Sequence, residues 1–99
     1  MNYADLEVAA VTNYEEFGEY AISVYSEVGL IAREIHERYL PHPKARVSTA
    51  KRIRAEGYDL KPTHDPGHYD LVLPNAPTVS DWEKLHGLFD VTIKKIREG

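Results

Sequence analysis

The apolar residues Phe17, Ala21, Val24, Val28, Ile31 and Ile35 follow one another at alternating spacings of four and three. That is the period of one helical face, and it predicts a single long helix over residues 13–39. Asn13 stands where a cap is needed and Glu16 follows three residues later, the arrangement of a capping box. Pro41 and Pro43 end the pattern, because proline supplies no backbone donor and restricts the residue before it. Tyr14, Tyr20, Tyr25 and Leu30 widen the stripe. Gly18 and Gly29 lie inside it at a cost in helix stability, and each marks a bend or a close backbone approach.

Beyond the prolines the pattern shortens. Ser48 can cap a helix over 48–56, "STAKRIRAE", which Gly57 ends. Val47, Ala50 and Ile53 are its candidates for burial. Residues 58–73 then change to a period of two, which predicts a β-hairpin around "HDPG". Parity limits its register. A two-residue loop at Pro66-Gly67 places Asp65 opposite His68, and a four-residue loop places His64 opposite Tyr69. Both put Tyr58, Leu60, Pro62 and His64 on one face with Tyr69, Leu71 and Leu73. A three-residue loop mixes polar and apolar positions. Pro-Gly suits a type II turn, which favours the wider loop. "SDWE" opens a last helix over 80–97, with Ser80 and Glu83 as its capping box and Trp82, Leu85, Phe89, Ile93 and Ile96 as its buried stripe.

The order of elements is α+β. A long N-terminal helix, a short basic helix, an antiparallel hairpin and a C-terminal helix share one domain over 1–99, the helices packed on one face of a small sheet. A lone hairpin is marginal. A third strand is expected from residues 6–11, "LEVAAV", within an N-terminal extension or edge strand over 1–12, or from a partner chain.

Composition narrows the class. Hydrophobic residues make up 42% and charged residues 28% of 99 residues, a globular balance. Cysteine is absent, which excludes disulfides and thiolate metal sites and suits a cytoplasmic protein. No apolar run approaches the ~18 residues of a membrane span, and the N-terminus lacks the basic, then apolar, order of a secretory signal. The net charge of −4 is unevenly spread. Residues 1–32 carry six acids and no Lys or Arg, whereas residues 33–54 carry seven bases against Glu34 and Glu37. Such segregation implies complementarity within the chain or towards a partner.

Three chemistries can be read from the residues. His68 and Asp70 share the polar hairpin face with Thr63, and a histidine beside a carboxylate works as an acid or base near neutral pH. With His64 in reserve and Arg52 and Arg54 nearby, these residues make cleavage of an RNA phosphodiester chemically conceivable. His64 and His68 are four apart, but that spacing converges on a helix and not across a turn, so no metal and no cofactor is expected. The second chemistry is phosphate contact through Lys44, Arg46, Lys51, Arg52 and Arg54, where a basic helix precedes a hairpin in the order of a recognition helix and a wing. The third is association. Phe17, Val24, Val28, Ile31 and Ile35 form a seam that serves a partner helix as well as a core.

The stretch "RIRAEGYDLKPTHDPGHYDLVLP" resembles the small double-stranded-RNA-binding-like toxins of toxin–antitoxin pairs, which run from a helix through a Gly-aromatic strand entry to a glycine before histidine. Here "PGHY" stands in place of their Gly-Ser-His-His, the feature that carries their activity. The order of elements is also similar to that of phage head–tail connector proteins, with no motif behind it. The sequence favours a non-enzymatic protein–protein interaction or assembly module that self-associates as a homodimer through the seam. Nucleic-acid binding and ribonuclease-type chemistry are the alternatives, and no membrane partner is expected.

Overall fold

The computed structural model describes residues 2–27 and 29–94. It is an α+β domain of four helices and five strands among these residues. In chain order they are α1 (Tyr3–Phe17), β1 (Ala21–Tyr25), α2 (Ala32–Tyr39), β2 (Lys44–Val47), α3 (Ala50–Ala55), β3 (Asp59–Pro62), β4 (His68–Val72), α4 (Val79–Leu88) and β5 (Val91–Lys94). Strands β1, β4 and β3 form an antiparallel sheet in that order, and β2 and β5 form a separate antiparallel pair.

The single helix expected over 13–39 is replaced by the end of α1, then β1, then α2. Gly18 is the reason. It takes a left-handed conformation at φ 75°, and its N–H closes α1 by donating to Tyr14 O at 2.7 Å. A residue with a Cβ adopts that conformation at a cost. Asn13, expected as the cap of a following helix, lies inside α1, and its side-chain amide donates to Glu19 O at 2.7 Å. It braces the turn out of the helix. The next residues, "AISVY", include β-branched Ile22 and Val24 and aromatic Tyr25, which suit a pleated strand, and β4 offers them a partner. The third strand therefore comes from β1. Residues 6–11 lie instead in α1, whose N-terminus Asn2 caps in a reciprocal box with Asp5.

The hairpin keeps the expected parity and slides by two residues. Leu60 faces Leu71 and Pro62 faces Tyr69, so four residues, 64–67, make the loop. Tyr58, Leu60, Pro62, Tyr69, Leu71 and Leu73 stay on one face. β1 adds Ile22 opposite Leu71 and Val24 opposite Tyr69 to that face. The core forms where this face meets the helices. Leu71 and Leu73 pack with Leu6 and Ala10 of α1, Ile53 of α3, and Leu85 and Leu88 of α4. Helices α1, α3 and α4 thus cover one face of the three-stranded sheet.

Two helix starts differ from expectation by one or two residues. Thr49, and not Ser48, caps α3 by accepting from Arg52 N–H. Thr78 caps α4 in a box with Asp81, two residues before the Ser80–Glu83 pair. The helix expected over 80–97 stops at Leu88, and Val91–Lys94 pairs with β2. "VTIK" carries three β-branched residues, Val91, Thr92 and Ile93, and an available edge turns that propensity into a strand. Residues 95–97 of the expected helix, with its last stripe member Ile96, lie outside the described residues.

Tyr58 joins the core to α4. Its ring is buried, and its hydroxyl donates to Asp81 Oδ1 at 2.8 Å. Burial, then the bond to Asp81, raises the Tyr58 pKa above the usual tyrosine range. Burial alone would raise the Asp81 pKa, but the backbone of Thr78, the Tyr58 hydroxyl and the Thr78 hydroxyl together lower it. A carboxylate with a depressed folded pKa stabilises the fold above its unfolded value, about 3.9, and that contribution is lost as pH falls through the folded value. Replacing Tyr58 by Phe is expected to cost about 1–2 kcal/mol at neutral pH. It should also make stability fall less steeply below pH 4, which chemical denaturation at several pH values would record.

Gly67 settles the meaning of the "HDPG" turn. Its φ is 74°, and a Cβ built there would lie well inside van der Waals distance of the Tyr39 ring of α2. The turn is the seat on which α2 packs. Gly67→Ala combines left-handed strain with this overlap and is expected to destabilise the domain by about 2 kcal/mol or more. The near-ultraviolet tyrosine signal should change with it.

Candidate functional site

The residues with chemical potential divide between two places. The first is the outer face of the hairpin. His68 lies edge-on to the Tyr25 ring, with centroids 5.3 Å apart, and Tyr25 stacks on Tyr39 at 5.8 Å. His68 Nδ1 is 2.7 Å from Thr63 Oγ1. Thr63 Oγ1 also accepts from Asp65 N–H across the turn at 3.3 Å. Tyr39 donates to Glu27 Oε1 at 2.7 Å, and Arg38 pairs with the other oxygen of Glu27. Of the predicted acid–base group, His68 and Thr63 are brought together. Asp70 lies two residues along the same face, opposite Ser23 and Lys61, without a hydrogen bond to His68. His64 is exposed in the turn. Here the histidine serves a turn and an aromatic stack that anchor α2. Among the described residues no group of three or more histidine or carboxylate side chains is placed to hold a metal ion.

The second place is a cleft of about 750 Å³ on the apolar side of the sheet. Its floor is the part of the sheet face that the helices leave uncovered, with Ile22, Val24, Leu60 and Tyr69 all partly exposed. Ile35, His36 and Leu40 of the α2 segment form one wall. Ala45, Val47 and Ile93 of the β2–β5 pair, with Trp82 and Phe89, form the other. His36 is itself buried, and its Nε2 lies 2.7 Å from His42 O, which fixes the chain at the proline break.

The charges of the cleft run against those of the chain. Its lining includes Arg46 and Arg54 and no Asp or Glu, although acids outnumber Lys and Arg by sixteen to twelve overall. Arg46 reaches across from β2 to α4, where its guanidinium lies 2.7 Å from His86 Nδ1 and donates to His86 O at 3.2 Å. His86 in turn stacks on Trp82, with centroids 5.0 Å apart. Ser48, freed from capping α3, has its hydroxyl buried with no hydrogen-bond partner, and it too lines the cleft.

The basic set does not stay together. Arg52 forms an exposed pair with Asp90 at 2.9 Å, and Arg46 is held by His86. Lys44 and Lys51 are exposed on β2 and α3, while Arg54 faces the cleft. The expected seam is dispersed as well. Phe17 is 73% exposed at the end of α1, and Ile31 is 65% exposed ahead of α2. Val24 and Ile35 line the cleft, and Val28 lies outside the described residues. The periodicity does not mark one helix face, and of its members only Val24 and Ile35 reach the cleft. Sequence reasoning missed Trp82, His86 and Ser48 as cleft residues, because tertiary packing and not local spacing brings them to one cavity.

No family model, curated protein or solved structure matches this chain.

An apolar, acid-free cavity of this volume is of the size that holds a small organic molecule or a few side chains. The anionic, aromatic dye 1-anilinonaphthalene-8-sulfonate is expected to bind the folded protein at about one molecule per chain, with energy transfer from Trp82, the sole tryptophan. Arg54→Glu should weaken binding at least fivefold without changing the melting temperature. Dye binding that appears only as the protein unfolds would contradict this.

Proposed function

We propose that this protein is a small non-enzymatic interaction module and that the cleft between the sheet and α2 receives part of a partner protein. The observation that carries this reading is the cleft itself. It exposes Ile22, Val24, Leu60 and Trp82 in part within a concave, acid-free surface. Apolar and aromatic side chains gathered in a concavity with arginine are the usual centre of a protein–protein interface.

The alternatives have less behind them. Acid–base chemistry needs a histidine that reaches both a partner group and a substrate, whereas His68 is engaged by Thr63 and lies against Tyr25. Phosphate binding needs a contiguous set of free cations, whereas Arg52 and Arg46 are occupied within the chain. A homodimer loses the continuous helical seam that suggested it, and a second copy becomes one of several possible occupants.

Selection from a displayed random-peptide library tests the reading. The expected outcome is a set of peptides that bind with micromolar affinity and displace the sulfonate dye. Leu60→Glu should abolish their binding while leaving circular dichroism unchanged. Peptides that bind without displacing the dye would contradict it. A retarded band with labelled RNA or DNA at physiological salt, lost on Arg52→Glu with Arg54→Glu, would move the assignment to nucleic acid.

A further inference from the structure

The two outer edges of the three-stranded sheet are built differently. In β4, alternate backbone groups bond to β1 and to β3. Ser26 N–H donates to Gly67 O and Leu73 N–H to Tyr20 O, so by the register the groups of Ile22 and Val24 also point at β4. Those of Ala21, Ser23 and Tyr25 then point outward. On the opposite edge, Thr63 N–H donates to His68 O, and the outward positions of β3 are Leu60 and Pro62. That edge is closed. Asp59 Oδ1 accepts from Leu60 N–H at 2.9 Å, Pro62 has no N–H, and Lys61 stands between them. These are devices that keep another strand from adding. The β1 edge has none of them. "AISVY" contains no charge, no proline and no glycine, and its outward N–H groups have no acceptor among the described residues. Ser23, at its middle, is exposed.

The open edge belongs to the cleft. Ile22 and Val24 line the cleft from the apolar face. Ser23 and Tyr25 alternate to the other face by parity, yet they line it too. The cavity therefore reaches round the outer edge of β1. An added strand would place alternate side chains beside Ile22 and Val24, against Ile35 and Leu40 of the opposite wall.

We infer that β1 is an acceptor for strand addition by an extended segment of a partner protein. That segment carries apolar residues at alternate positions and an acid next to them. This inference rests on the cleft being the binding surface and adds how the partner is held. Backbone hydrogen bonds to Ser23 and its neighbours supply the register, and the cleft selects the alternate side chains. Charge complementarity selects a partner segment over a second copy. The lining offers the exposed Arg54, and no acid, to a carboxylate, whereas two copies meeting edge to edge would bring two acid-free, arginine-lined clefts together.

The test uses the fluorescein-labelled peptide Thr-Val-Thr-Ile-Thr-Val-Glu-Glu and the full chain. Saturable binding by anisotropy is expected. Ser23→Pro removes an outward N–H and no bond within the sheet, and should weaken binding at least tenfold while the melt stays cooperative. If Ser23→Pro fails to fold, Ser23→Lys and a peptide methylated on alternate backbone nitrogens carry the same comparison. Peptide methylated on the edge-facing nitrogens should lose binding, and peptide methylated on the others should keep it. Absence of peptide binding by the wild type overturns the inference. So does binding that Ser23→Pro and both methylations leave unchanged; if Leu60→Glu still abolishes it, the cleft reading survives without strand addition. A wild-type dimer by sedimentation that Ser23→Pro converts to monomer overturns the partner assignment in favour of a second copy.

Discussion

Among the described residues β4 is the only strand paired on both sides, and the rest of the structure is arranged by that pairing. With β1 and β3 bonded to it, the apolar positions of three strands come to one face around fully buried Leu71. That face is what α1, α3 and α4 cover. A two-stranded hairpin would expose the same side chains with too little surface to hold three helices. The third strand, β1, therefore decides whether the domain exists. It exists because Gly18 stops α1 in time and the Asn13 side chain holds the turn that follows.

The same constraint creates the cleft. The sheet face is longer than the helices that cover it, and its remaining end, at Ile22, Val24, Leu60 and Tyr69, is bounded but not filled. Its far walls hang on a few contacts, one of them the packing of an aromatic ring. Tyr39 rests on Gly67 and bonds Glu27, while Arg46 bonds His86 and Arg52 bonds Asp90. An exposed ion pair such as Arg52–Asp90 contributes little. The α2 wall and the β2–β5 pair are thus held less firmly than the core, which suits a surface that must admit a partner.

Much of the architecture was legible in the sequence. The α+β class, the short basic helix and the hairpin with its division into two faces follow from periodicity, because one face of the hairpin is buried and a wrong parity would turn that burial inside out. A slide of two residues, as seen here, keeps the faces. The division of 13–39 was not read, since Phe17, Ala21, Val24 and Ile35 satisfy a helical period by coincidence while Ile22 and Val24 satisfy a strand period. Gly18 was the available signal, as a left-handed stop rather than a bend. The capping pairs at 78–81 and 80–83 are equally good locally, and only the packing of Tyr58 on Asp81 chooses between them. The cleft was legible only as an excess of apolar residues without cover. Trp82 and His86 join it through the fold alone, and the candidate histidine His68 is spent on the turn beside it.

Residue-resolved amide hydrogen exchange of the free protein tests the central claim most directly, because it asks whether 21–25 is a strand with one bonded edge. Protection should alternate there. The Ile22 and Val24 amides should exchange slowly, and the Ser23 and Tyr25 amides at least a hundredfold faster, with the Leu71 amide among the slowest in the domain. Uniform, continuous protection from 19 to 36 would show a single helix instead and would contradict the account.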